Sequence, residues 1–291
     1  MRPFPAKLAS DSAHTLKAIA RAFDGPPIVR GERKIIEAGS VLLDANWGTI
    51  EIKQGSWRVL EQMPQGRYFK RNPDDLPMPK PLTAEQRTGA SLLESVGKLV
   101  HVANIDASMC PLIAAIITYF WCHETGNYII VITGEPGTGK TTLMLALRRF
   151  IHPSRKAADS LPQKLSDLLA LAKQSDVLNL DNCNRATDEQ TDAMCQLSTS
   201  PKSTQISARA LYSNHDTVGV QCGKLIAMTG ITDPGSRGDY LTRSIRIEAV
   251  KRSGNLLLES ELIEAQDRHA PEIMGVLLDV AAGAMLKGKE Y

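Results

Sequence analysis

The chain has 291 residues, 43% of them hydrophobic and 23% charged, with 34 basic against 32 acidic residues and a formal charge of +2. That composition suits a globular protein and excludes disordered, collagen-like and coiled-coil chains, while the charge is too small to name a partner. The longest apolar run, Pro111 to Trp121, falls short of the roughly 20 residues that cross a bilayer. The first ten residues hold no apolar core of a signal peptide, so a cytoplasmic location without a membrane partner is expected. Five cysteines without a C-x-x-C pair argue against a disulfide framework and a zinc ribbon.

In chain order, residues 1–62 read as a small β-containing domain. A short helix is predicted over Ala13–Phe23, then strands within Lys34–Leu43, Thr49–Lys53 and Trp57–Leu60, separated by turns at Asn46–Gly48 and Gln54–Ser56. Residues 63–81 carry five prolines in nineteen positions, the composition of a stiff, extended linker. A core over 82–252 follows. It opens with helices within 83–123, the first capped by Thr83 and carrying Leu92, Leu93, Val96 and Val100, the second capped by Asp106 or Ser108. Asn127–Thr133 is a continuous β-branched run suited to a strand buried on both faces. Helix patterns at 141–150, 161–173 and 187–197 alternate with strand patterns at 176–180, 224–228 and 244–249, which predicts an α/β fold with a mostly parallel sheet. Residues 253–291 form a C-terminal helical region, with a helix over 259–286 broken at Pro271.

Gly134-Glu-Pro-Gly-Thr-Gly-Lys-Thr141 fits G-x-x-x-x-G-K-[ST] without a mismatch, between a predicted strand and a predicted helix. Gly137 and Gly139 allow backbone N–H groups to curl around phosphate oxygens at a helix N-terminus. Lys140 meets the β- and γ-phosphates and the Thr141 hydroxyl ligates Mg²⁺, so Gly134, Glu135, Pro136, Gly137, Thr138, Gly139, Lys140, Thr141 and Thr142 are the expected ATP-binding residues. Hydrolysis also needs a carboxylate at a strand end. Asp181 closes the apolar run 177–181 about 40 residues later and is the second expected Mg²⁺ residue. The following Asn182 can orient a water but cannot take its proton, so turnover is expected to be slow or to use another group such as Glu189.

From Pro81 to Leu286 the chain resembles the ring-forming AAA+ ATPases, in particular the superfamily 3-like helicase portion of phage and mobile-element replication proteins. The resemblance is carried by Asp181-Asn182, Thr191-Asp-Ala-Met-Cys195, Arg209-Ala-Leu-Tyr212, Ile226-Ala-Met-Thr-Gly-Ile231, and Arg237 with Arg243, in that order. It implies that Thr229 is a sensor beside the acidic strand end and that Arg243 is a finger into a neighbouring subunit's ATP site, with Arg237 alongside; either arginine could also be a surface ion-pair residue. It also implies that 202–220 is a hairpin gripping single-stranded DNA, with Lys202, Arg209, Tyr212 and His215 supplying phosphate contacts and stacking. Basic residues at Arg148, Arg149, Arg155 and Lys156, and from Arg237 to Arg252, would extend that footprint or form a solvated surface. The implied activity is an ATP hydrolase driving a DNA helicase or translocase in replication of a phage or mobile element, working as a homo-oligomeric ring of six in a bacterial or phage-infected cell, with any primase a separate protein. Three other readings stay open: an accessory ATPase such as a helicase loader or transposition regulator, a protein remodeller, and a nucleotide-gated assembly factor with little hydrolysis. The histidines His101, His123, His152 and His269 are too scattered to hold a metal, and Cys183 and Cys195 read as small core residues.

Overall fold

The structure, a computed structural model, describes residues 29–31, 33–88, 91–100, 105–124, 126–209, 217–251 and 259–287. The helix predicted over Ala13–Phe23 and the residues Tyr212, His215 and His101 lie outside these.

The fold is α/β. Its centre is a five-stranded, wholly parallel sheet made of β7 (Ile129–Thr133), β8 (Asp159–Ser160), β9 (Val177–Asp181), β12 (Leu225–Gly230) and β13 (Ser244–Glu248), in the order β13-β7-β12-β9-β8. Strand β7 shows why a continuous apolar run is required. Ile130 and Ile132 enter one buried cluster and Ile129 and Val131 the other, because successive side chains point to opposite faces and both faces are covered. The first face carries α2 (Cys110–Cys122), α3 (Lys140–Ile151) and α7 (Glu259–Lys287); the second carries α4 (Leu165–Gln174) and α5 (Asp188–Thr199). The two-residue β8 has no periodic signal and was not expected; neither was the five-residue helix α6 (Gly238–Thr242).

Cap chemistry sets several boundaries. Thr187 and Gln190 form a reciprocal capping box that starts α5. Asp106, rather than Ser108, caps a 3₁₀ turn over Ala107–Met109 that leads into α2, accepting from Ser108 N at 2.9 Å. The helix expected from Thr83 is instead a single 3₁₀ turn, Ala84–Gln86, followed by α1 (Leu92–Gly97), which has its own cap where Ser91 accepts from Glu94 N.

N-terminal to this sheet, β2 (Lys34–Glu37), β3 (Ser40–Asp44), β4 (Thr49–Lys53) and β5 (Ser56–Leu60) form an antiparallel meander, while β1 (Val29–Gly31) pairs with β6 (Arg67–Phe69). Val41, Leu43, Ile50 and Ile52 of the meander belong to the same buried cluster as α2, α3 and α7. Buried charge fixes this contact. The Arg33 guanidinium donates to the carbonyls of Asp44, Leu76 and Pro153, and Arg71 makes a bidentate pair with the fully buried Asp44. The segment after Lys70 is hydrogen-bonded on both sides, Met78 N to Ala45 O and Leu76 N to Pro153 O.

Helix α7 runs through Pro271 without a break, a correction to the expected interruption. Ala270, Ile273, Met274 and Leu277 are buried in the main cluster, and Leu82 N donates to the Pro271 carbonyl, so tertiary packing outweighs the local cost of proline. The helix crosses the chain so closely that a Cβ on Gly275 would lie 2.0 Å from the Leu82 carbonyl oxygen. Gly275→Ala is therefore expected to lower stability by about 1–3 kcal/mol, read as a fall in the urea midpoint.

The Lys34 ammonium is buried at the C-terminus of α2, donating to the Phe120 and His123 carbonyls over the Phe120 ring. Burial lowers its pKa from 10.5 to about 7, with Asp176 partly opposing the fall. Between those values the unfolded chain holds a proton that the folded chain has released, so this group makes stability rise with pH across that window. Lys34→Met is expected to flatten that rise in denaturation midpoints taken across it.

Candidate functional site

Three strands of the parallel sheet stop at one edge. Gly230 pairs with Thr133 across β12 and β7, and Met228 pairs with Leu180 across β12 and β9, which brings Thr133, Asp181 and Thr229 to the carboxyl edge, where open α/β sheets bind ligands. The glycine-rich loop leaves β7 here and enters α3. Gly134 has φ 147°, and a Cβ on it would lie 2.3 Å from the Ala249 carbonyl oxygen, so the close approach of the chain after β13 admits only glycine. Gly137 and Gly139 have φ 79° and 82°, the left-handed conformation from which an anion nest at a helix N-terminus is built. Pro136 lies in the turn, and Thr138 Oγ1 donates to Glu135 O at 2.9 Å.

Lys140 Nζ donates to the carbonyls of Gly134 at 2.9 Å and Glu135 at 2.7 Å, which holds the ammonium against the loop. Thr141 and Thr142 sit in the first turn of α3. The Thr141 hydroxyl donates to Asp181 Oδ1 at 3.2 Å. The Thr229 hydroxyl donates to the same Oδ1 in a short contact, and Asn182 N–H lies 3.1 Å from both that oxygen and Thr229 Oγ1. Asn182 has φ 61°, a left-handed position that Asn tolerates better than most residues, and it is exposed. A threonine hydroxyl beside a carboxylate is a hard oxygen pair of the kind that holds Mg²⁺ when phosphate and water oxygens complete its shell, so Thr141 and Asp181 fit that ion. Glu189 is exposed in the first turn of α5. Cys183 and Cys195 are buried, and burial pushes the Cys183 thiol up to about 12.

A slot of about 100 Å³ opens beside the loop, lined by Ile105, Asp106 and Met109, by Thr138, Gly139 and Leu143, and by residues 247–250. Sequence reasoning missed it. Its walls come from the lead into α2 and the end of β13, and no spacing rule joins those segments.

The two arginines flank α6, Arg237 as its N-cap and Arg243 as its C-cap. Arg237 is paired with Asp192 at 2.7 Å; Arg243 is paired with Asp239 at 2.8 Å and also donates to Thr199 Oγ1. The Arg243 carbonyl accepts from Ile129 N, so Arg243 lies at the amino edge of the sheet, five strand residues below the loop, about 16 Å at ~3.3 Å per residue.

Strands β10 (Gln205–Arg209) and β11 (Thr217–Gln221) form an antiparallel pair, with Arg209 opposite Thr217. At its base, Lys202 reaches the fully buried Asp176 carboxylate at 3.2 Å, beside Lys224 at 2.8 Å. Burial works against that charge, but Lys224 and Lys202 outweigh it and hold the Asp176 carboxyl well below the usual range. Lys202, expected to meet nucleic acid, is thus placed as an anchor of the strand pair. Of the basic run from Arg148 to Lys156, Arg148 is buried and donates to Ala157 O, Arg149 pairs with Asp267, and Lys156 pairs with Asp159. His152 is buried against Asp75 at 2.9 Å.

A sequence model of the actinomycete integrative conjugative element replication protein matches residues 94–287. No curated protein matches the chain. Among solved structures, the C-terminal region of NrS-1 aligns at 12% identity and TM-score 0.43, over 97% of this chain and 66% of that one. The JCV helicase aligns at 15% identity and TM-score 0.41, over 66% and 55%. The active helicase Cch of SCCmec type IV aligns at 12% identity and TM-score 0.40, over 99% and 52%. The chain thus spans between half and two thirds of the length of these solved chains. No helix among the described residues is long and apolar enough to cross a membrane.

Thr229→Val keeps the shape of the side chain but removes the hydroxyl that Asp181 and Asn182 share. It is expected to cost about 1–2 kcal/mol in urea denaturation, and Thr229→Ser to restore most of it.

Proposed function

The chain belongs to the actinomycete integrative conjugative element replication protein family, and from that premise we propose that it is an ATP-driven motor working on single-stranded DNA in replication of such an element. The observation that carries the reading is the meeting of Thr141 and Asp181, distant in the chain, beside a glycine-rich loop whose backbone is already in the nest conformation. In this reading the loop amides and Lys140 hold the phosphates, Lys140 exchanging the Gly134 and Glu135 carbonyls for phosphate oxygens. The base enters the slot beside Gly139. Thr141 and Asp181 would hold Mg²⁺, which when bound would supply positive charge beside the phosphates. Thr229 keeps Asp181 oriented, and the exposed Asn182 amide orients the attacking water without accepting its proton.

Arg243 cannot serve its own loop from about 16 Å away, so it acts on the loop of a neighbouring copy in a ring of six, leaving Asp239 to do so. The DNA is gripped by the β10–β11 pair, which the Lys202–Asp176–Lys224 cluster ties to the sheet. A second reading, an accessory or nucleotide-gated assembly factor, is favoured by one feature, the amide of Asn182 at the position where a carboxylate would act as base.

Steady-state hydrolysis of ATP with and without single-stranded DNA tests the proposal. Lys140→Ala is expected to abolish it, and Arg243→Ala to bind ATP yet lose ~10³-fold or more in rate and to poison wild-type copies when mixed with them. Normal hydrolysis by Lys140→Ala would overturn the nucleotide site. A rate indifferent to DNA would select the accessory reading.

A further inference from the structure

We propose that a cavity of about 380 Å³ between residues 70–75 and the parallel sheet binds a phosphorylated small molecule of nucleoside-monophosphate size, at a site separate from the glycine-rich loop. One wall is made by β9, the last turn of α3 and His152, the other by residues between Lys70 and Asp75 with the end of α4. The second wall is fastened in place. Leu76 N donates to Pro153 O, Arg155 N to Asp74 O, and Asn72 Nδ2 to Gln174 O. The first wall is polar where a core is expected. Val177 of β9 enters the main buried cluster, yet Asn179, two residues on and so on the same face, is an amide only 3% exposed. Arg148 and His152 line the same cavity.

These two residues define the ligand. Arg148 is 8% exposed, makes one hydrogen bond, Nη1 to Ala157 O at 3.2 Å, and has no ion pair among the described residues; its Nε has no partner. Burial outweighs the attraction of Asp159 and Asp75 and lowers its pKa. Both carboxylates are engaged elsewhere, Asp159 with Lys156 at 2.7 Å and Asp75 with His152, Arg33 and Asn72 N. A buried cation without a counter-anion is costly, and an anion in the cavity offsets that cost. His152 adds a second requirement. Burial lowers its pKa, so the ring is neutral, Nε2–H donates to Asp75 at 2.9 Å, and Nδ1 is a buried acceptor with no partner. The ligand therefore carries an anion for Arg148 and a hydroxyl or amino donor for His152. Exposed Lys70, Lys156 and Lys173 also line the cavity, and with Arg148 they outnumber its carboxylates Asp74, Asp75 and Asp159. The volume is that of a site for a small organic ligand, and Leu171 and the Asn179 amide suit a flat polar ring. A nucleoside phosphate has all three parts.

Equilibrium dialysis of the full chain with labelled adenosine 5′-monophosphate, repeated with inorganic phosphate, tests this. Binding is expected to persist in Lys140→Ala, because the cavity does not include the loop. Lys70→Glu combined with Lys173→Glu, both at exposed positions, is expected to weaken it about tenfold or more, and Arg148→Met to do the same, with Arg148→Lys restoring part. Should Arg148→Met fail to fold, the exposed pair decides. Binding that vanishes in Lys140→Ala but survives the exposed pair would put the ligand in the loop and overturn the cavity as its site. Inorganic phosphate held as tightly as the nucleotide would overturn a ligand of nucleotide size. A 5′-phosphorylated oligonucleotide held more tightly than the mononucleotide, and weakened by the same pair, would make the cavity a receptor for a DNA end and overturn the small-molecule assignment. No binding of either probe at millimolar concentration would sink the proposal.

Discussion

Because β7, β12 and β9 are hydrogen-bonded in parallel register, their carboxyl ends stop together, and the contacts that join Thr141, Asp181, Asn182 and Thr229 follow from that alignment. The loop after Thr133, the carboxylate of Asp181 and the hydroxyl of Thr229 come from three separate stretches of chain. No local interaction could hold them within hydrogen-bonding distance. The same polarity sends Arg243 to the opposite edge, one strand length from the loop of its own chain.

The central sheet was readable because its strands are short apolar runs between helical patterns, and the loop was readable because its glycines are needed by geometry. Gly134 is pressed by Ala249 O, and Gly137 and Gly139 take left-handed angles. The helix pattern over 187–197 matches α5, whose start is held by the Thr187–Gln190 cap. What stayed hidden depends on contacts between distant segments. Lys202 looked like a DNA contact because a lysine before a hairpin suggests phosphate, yet its partner Asp176 lies 26 positions away at the start of another strand. The run from Arg148 to Lys156 looked like a basic face, and three of its four bases, Arg148, Arg149 and Lys156, turn to Ala157, Asp267 and Asp159. Pro271 looked like a break, and packing on both sides carried the helix through it.

The meander is joined to the sheet domain by apolar packing and by buried charge together. Arg33 reaches the carbonyls of Asp44 in the meander and of Leu76 and Pro153 outside it, Lys34 caps the end of α2, and Trp57 Nε1 donates to Asp279 of α7 at 2.7 Å. Each of these groups would be costly to bury without its partners, so the arrangement penalises other ways of seating the meander more than it stabilises this one. Position, more than strength, is what such buried cations provide.

The two outer strands of the parallel sheet have a consequence for how the protein behaves when crowded. At one side β8 is only two residues long; at the other, β13 sets exposed Arg246 and Glu248 along its length. A short margin and a charged margin both resist strand addition from another molecule. Copies of this chain can therefore gather at high local concentration without their sheets fusing edge to edge into fibrous aggregates.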